Sequence, residues 1–101
     1  MKNTNNLEIT GTSRQGEFEL AYQELTATFG EPTFKTNDIG GKIDVEWIFQ
    51  TPFGVATIYN YKDGKNYNGE EGLPISDITN WHIGGNNNDV YAYLLGYLRL
   101  Q

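Results

Sequence analysis

The sequence predicts one small α+β domain: an antiparallel sheet in β-α-β-β-β-α order, with two helices packed on one face. Three observations carry this reading. Phe18, Ala21, Tyr22, Leu25 and Phe29 recur at helical spacing and form one stripe. Residues 42–50 place Ile43, Val45, Trp47 and Phe49 on one strand face, and residues 55–62 follow after Thr51-Pro52-Phe53-Gly54, a turn sequence with Pro and Gly in suitable places, so the pair reads as a hairpin. Val90, Leu94, Tyr97 and Leu98 make a last helical stripe. A chain of 101 residues has the size of one domain.

Taken in order, residues 1–6 read as a disordered polar tail and residues 7–101 as the domain. Leu7-Glu8-Ile9-Thr10 alternates and stops at Gly11, a short first strand. Ser13 then lies in a helix N-cap region, with Glu17 and Glu19 in the early turns of the helix that ends at Gly30, an αL terminator followed by Pro32. In the hairpin the buried face of residues 55–62 is left open by the pattern: Val55, Thr57, Tyr59 and Tyr61 share one side, and Ala56, Ile58, Asn60 and Lys62 the other. Residues 63–79 read as a long loop rich in Gly, Asn and Tyr. Trp81-His82-Ile83 is a short strand broken by Gly84-Gly85, and Asn86, Asn87 and Asn88 offer caps to a helix starting near Asp89.

Composition excludes several function classes. With no cysteine there is neither a disulfide framework nor a thiolate metal site, and with one histidine no His-rich metal centre. The net charge of −6 opposes direct DNA or RNA binding and an anionic membrane surface. It allows a basic protein partner, or a small ligand held by a local cluster. No apolar run reaches the ~18 residues of a membrane helix, and the polar start has no signal-peptide core, so a cytoplasmic setting is expected. Walker A, GxGxxG and nucleophile-elbow patterns are absent. A metal-dependent hairpin nuclease would pair Asp44 or Glu46 with an acid-x-Lys, but this chain has Asn60-Tyr61-Lys62, and an amide is a poor ligand for a hard cation. No enzyme, no metal and no cofactor are therefore expected.

The most informative segment is Trp81-His82-Ile83-Gly84-Gly85-Asn86. Read as a strand running through glycines into a helix start, it offers unpaired N–H groups to an anion, with Lys62 and His82 adding charge and Tyr59, Tyr61 or Trp81 stacking on a base. The plainer reading is a strand-to-helix turn in which the glycines serve sterics and the asparagines capping. His82 must face opposite to Trp81 and Ile83, so it meets either solvent or a pocket. The candidate ligand-binding set is Tyr59, Tyr61, Lys62, Trp81, His82, Gly84, Gly85 and Asn86.

The set Phe29-Gly30-Glu31-Pro32, Trp47, Ile58-Tyr59-Asn60-Tyr61-Lys62 and Trp81-His82-Ile83-Gly84-Gly85 resembles a group of small phage and prophage proteins over about residues 9 to 98. That group is similar except that it carries Asp at the position of Asn60. The resemblance brings no activity with it. It implies a class of roles, binding and disabling a host defence component in the bacterial cytoplasm. The first expectation is a sponge that sequesters a nucleotide-derived immune signal without cleaving it, as a homo-oligomer whose pockets lie at subunit junctions. The alternatives are an acidic inhibitor of a basic host defence protein such as a CRISPR effector, and a passive phage accessory protein.

Overall fold

The computed structural model describes residues 12–98. The expected tail over residues 1–6 and the expected strand over residues 7–10 lie outside the described residues. Five strands and three α-helices follow in order: β1 (Ser13–Glu19), α1 (Tyr22–Phe29), β2 (Phe34–Lys35), β3 (Val45–Thr51), β4 (Gly54–Tyr59), α2 (Lys65–Asn68), β5 (Asn80–Gly85) and α3 (Asp89–Tyr97). The strands form one antiparallel sheet in the order β1-β5-β4-β3-β2. Among the described residues, no helix is long and apolar enough to cross a membrane.

One sheet face is apolar and covered. Trp47 and Phe49 of β3, Ala56 and Ile58 of β4, Trp81 and Ile83 of β5 and Phe18 of β1 point inward. Leu25 and Phe29 of α1 and Val90 and Leu94 of α3 close over them. Trp47 and Trp81 meet edge-on at 5.4 Å, and Phe29 lies 4.6 Å from Phe49. Both indoles are fully buried, and each donates its N–H to a main-chain carbonyl: Trp47 to Gly30 at 3.0 Å and Trp81 to Leu20 at 2.9 Å. These bonds remove the penalty an unpaired buried donor would carry. Alternation settles the face of β4 that the sequence left open: Ala56 and Ile58 go inward, and Thr57 and Tyr59 outward.

The structure departs from the sequence reading at several places. β2 (Phe34–Lys35) is a further strand that the sequence reading does not contain. Three other departures concern expected elements. Residues 13–19 are strand, and the helix begins only at Tyr22. Phe18 and Leu25 enter the same core, so their spacing imitates a continuous helical stripe although one lies on a strand and the other on a helix. A bulge between Arg14 and Gly16 and the contact of Tyr91 with β1 fix the strand. A Cβ at Gly16 would overlap the Tyr91 ring, and the Tyr91 hydroxyl donates to the Glu17 carbonyl at 2.9 Å. Second, Gly30 ends α1 at φ 83° but ψ −170°, which is glycine backbone outside the left-handed helical region. Third, residues 63–79 are not an open loop. They contain α2 and two 3₁₀ turns.

What orders that segment is a buried polar network at the open end of the hairpin. Asn60 is fully buried, and its side-chain carbonyl accepts the N–H groups of Asp44 at 2.7 Å and Val45 at 3.1 Å. Its amide donates to the carboxylates of Asp44 at 2.9 Å and Asp63 at 3.0 Å. The second Asp44 oxygen accepts the Asn66 N–H at 3.0 Å, and the Asn66 amide donates to Thr36 and to the Ile43 carbonyl. Asn60 therefore needs an acceptor on one side and two donors on the other, which an amide alone supplies.

An Asn60→Asp variant would set a third carboxylate between Asp44 and Asp63 with no donor to offer them. Urea denaturation should find it less stable than wild type by roughly 2–4 kcal/mol at neutral pH. The deficit should shrink in acid, where the added carboxyl is protonated. Equal stability at both pH values would show that the network does not depend on the amide.

Candidate functional site

Among the described residues, no helix packs on the second face of the sheet, although Ile48 and Thr57 on that face are buried. Strand register lines up one row of polar side chains across it: Glu46 of β3 opposite Tyr59 of β4, Tyr59 opposite His82 of β5, and His82 opposite Glu17 of β1. The next row brings Thr57, Gly84 and Arg14 together. On this face lies a cleft of ≈ 310 Å³ lined by Arg14, Tyr59, Tyr61 and His82. That volume is at the small end of ligand pockets.

The walls are aromatic and the chemistry is cationic at two edges. The His82 ring stacks on Tyr61 at 5.2 Å and 24° and meets Tyr59 at 5.5 Å and 62°. Lys62 adopts a left-handed backbone, φ 62°, and its ammonium lies 5.4 Å from the Tyr61 ring and 5.6 Å from the Tyr67 ring. That conformation is held by the Lys62 N–H donating to Lys42 at 2.8 Å and the Asn68 amide donating to the Lys62 carbonyl at 2.8 Å. On the other edge, one Glu17 carboxylate oxygen accepts from the Arg14 guanidinium at 3.0 Å and stands 3.3 Å from His82 Nε2.

Protonation follows from burial. The His82 side chain is 12% exposed, and this desolvation holds its pKa below 6.5 despite the opposing pull of Glu17. A His disfavoured as a cation in the fold contributes stability above 6.5 that is lost as pH falls through its lowered pKa. Burial raises the Glu46 carboxyl above 4.5, and burial together with the Glu46 charge raises the Tyr59 phenol above 10.0. At neutral pH the cleft therefore holds a neutral His82 imidazole and a neutral Tyr59 phenol beside the Arg14 side chain.

The predicted site residues divide. Tyr59, Tyr61 and His82 converge in the cleft, with Lys62 beside it on the outer side of Tyr61. Trp81 is not available for stacking, because it is a fully buried core residue. Gly84 and Gly85 do not break the strand. They belong to β5, paired on one side with Thr57 and Ala56 and on the other with Arg14 and Ser13, so they are not the free N–H donors that an anion would need. The physical reason for Gly85 is packing, since a Cβ there would overlap Val90. A Cβ on Gly84 would come within 2.8 Å of the Thr57 hydroxyl, so Gly84 too is kept small by packing. Asn86 is exposed beyond the strand and does not line the cleft. The last helix starts at Asp89, whose N–H is capped by the Asn87 side chain at 2.9 Å. Arg14 and Glu17 were not foreseen, because residues 13–19 read as helix start rather than strand.

A second cleft of ≈ 290 Å³ lies at the hairpin's open end, lined by Asp44, Lys65, Asn66, Leu73 and neighbours. Both Asp44 oxygens there are already hydrogen-bonded. Among the described residues, no group of three or more His, Cys, Asp or Glu side chains could hold a metal ion.

Since burial disfavours the Glu46 carboxylate, the acid form is the one the fold prefers, and stability is lost as pH rises through its raised pKa. Glu46→Gln should therefore melt above wild type at pH 7, with the gap closing below pH 4.5. Thermal melts across that range check this, and a gap independent of pH would contradict it.

No family model, curated protein or solved structure matches the chain.

Proposed function

We propose that this chain is a binding module that holds a small planar anion of the nucleotide class in the Arg14–Tyr59–Tyr61–His82 cleft and leaves it chemically intact. The observation that carries the reading is the meeting of three stacked or edge-on aromatic rings with a guanidinium on one edge and an ammonium on the other. Aromatic faces accept any base, while Arg and Lys accept the phosphate. Arg14, Tyr59 and His82 stand on three neighbouring hydrogen-bonded strands, which limits the ordering cost of binding. The resemblance to small phage proteins supplies a context for such binding, sequestration of a nucleotide-derived immune signal. The volume of one cleft is small for a dinucleotide, which favours either a mononucleotide-sized ligand or a cleft completed by a second copy of the chain.

A second reading, an acidic inhibitor of a basic host protein, draws on the net charge and on exposed Glu24, Glu70 and Glu71. It makes no use of the cleft, so the two readings separate experimentally. Calorimetric titration with adenosine 5′-monophosphate, ADP-ribose and a cyclic dinucleotide should detect binding of at least one to wild type. Arg14→Ala and Tyr61→Ala should each weaken that binding by about one to two decades, from loss of a charge-assisted bond or of base stacking. Chromatography should return the ligand unchanged. Binding untouched by both folded variants would remove the cleft as the site. Recovery of a product would make the protein an enzyme. Activity against a host protein lost on Glu24→Lys, Glu70→Lys and Glu71→Lys, with no nucleotide bound, would establish the second reading.

A further inference from the structure

We infer that the Glu17 carboxylate is an internal occupant of the cleft's anion subsite, sitting between Arg14 and His82 where a phosphoryl group of the ligand replaces it. This rests on the reading of the cleft as a nucleotide-class site. One oxygen of Glu17 already makes the contacts a ligand oxyanion would make: 3.0 Å from the Arg14 guanidinium nitrogen and 3.3 Å from His82 Nε2. The remaining guanidinium donors are available for a second contact, and a phosphate matches that fork where a single carboxylate oxygen does not.

Displacement is inexpensive. Glu17 is 49% exposed and Arg14 57%, so their ion pair is a screened surface contact that water readily replaces. Glu17 needs only a side-chain rotation, since its main chain is fixed by β5 on one side and by the Tyr91 hydroxyl. The groups facing His82 are Glu17 and Arg14 from β1, Tyr59 from β4, and Tyr61 and Asp63 after it. A phosphate dianion brings more charge to Nε2 than Glu17 does, so His82 takes up a proton from solvent as the ligand enters. Binding of adenosine 5′-monophosphate should strengthen as pH falls from 8 toward 6.5, until its own phosphate takes up a proton near ~6.

The test compares wild type, Glu17→Gln and Glu19→Gln. The last removes one charge from a nearby position of the same strand without touching Arg14. Inorganic phosphate and adenosine 5′-monophosphate are titrated by calorimetry, and His82 ring protons are followed by NMR. Glu17→Gln should bind both probes about fivefold more tightly than wild type, the upper end of what a screened surface pair withholds, while Glu19→Gln stays within about twofold. His82 should protonate on binding in wild type and in Glu17→Gln. If adenosine 5′-monophosphate binds wild type in the cleft but Glu17→Gln binds no more tightly than Glu19→Gln, the internal occupant is refuted and the binding site stands. If Glu17→Gln binds more weakly, Glu17 is a ligand contact and the inference is equally refuted. If neither probe moves His82 in any folded protein, the cleft reading falls with it. Glu17→Asp, whose shorter side chain cannot span both partners, serves as the second variant and should also bind more tightly than wild type.

Discussion

The position of β5 between β1 and β4 is the constraint on which both faces of this molecule depend. Hydrogen-bonded on both sides, β5 sends Trp81 and Ile83 into the core and His82 to the opposite face. A one-residue slip of its register would exchange these sets, exposing an indole and burying an imidazole in the core. Core formation therefore fixes the cleft. The same inward residues that hold α1 and α3 against the sheet align Tyr59, His82 and Glu17 in one row on the other side.

The polar network of Asp44, Asn60 and Asn66 does for the sheet's end what the core does for its centre. It replaces water around two carboxylates with fixed donors and ties α2 to the start of β3. The turn that follows Asn60 holds Tyr61 and Lys62 at the cleft's edge. A hairpin position that in a metal-binding reading would call for a carboxylate is occupied here by an amide with every donor and acceptor used.

Much of this was legible in the residues. The hairpin, the core membership of Trp47, Phe49, Leu25 and Leu94, the final helix at Asp89 and the outward direction of His82 all follow from period and turn chemistry. Tyr59 and His82 lie on one face because β4 pairs with β5 at these residues, and Tyr61, just beyond β4, stacks on the His82 ring. Trp81 was misplaced in the site because its size suggests stacking, whereas the alternation that turns His82 outward turns Trp81 inward. The glycines misled for a different reason. Gly84 and Gly85 look like a strand end, but they are strand residues kept small by Thr57 and by Val90, contacts 27 residues or more upstream in one case and across a turn in the other. Arg14 and Glu17 were hidden by Phe18, whose spacing to Leu25 suits a helix as well as it suits a strand and a helix sharing one core.

On the proposed reading, one face of the sheet, and neither the core nor the end of the hairpin, receives a nucleotide-class anion. Aromatic-proton NMR of the uniformly labelled protein, titrated with the tightest-binding nucleotide, tests this most directly. The rings of Tyr59, Tyr61 and His82 should shift together and saturate at one concentration while those of Trp47 and Phe49 stay in place. Saturable binding that leaves the rings of Tyr59, Tyr61 and His82 unmoved would contradict it.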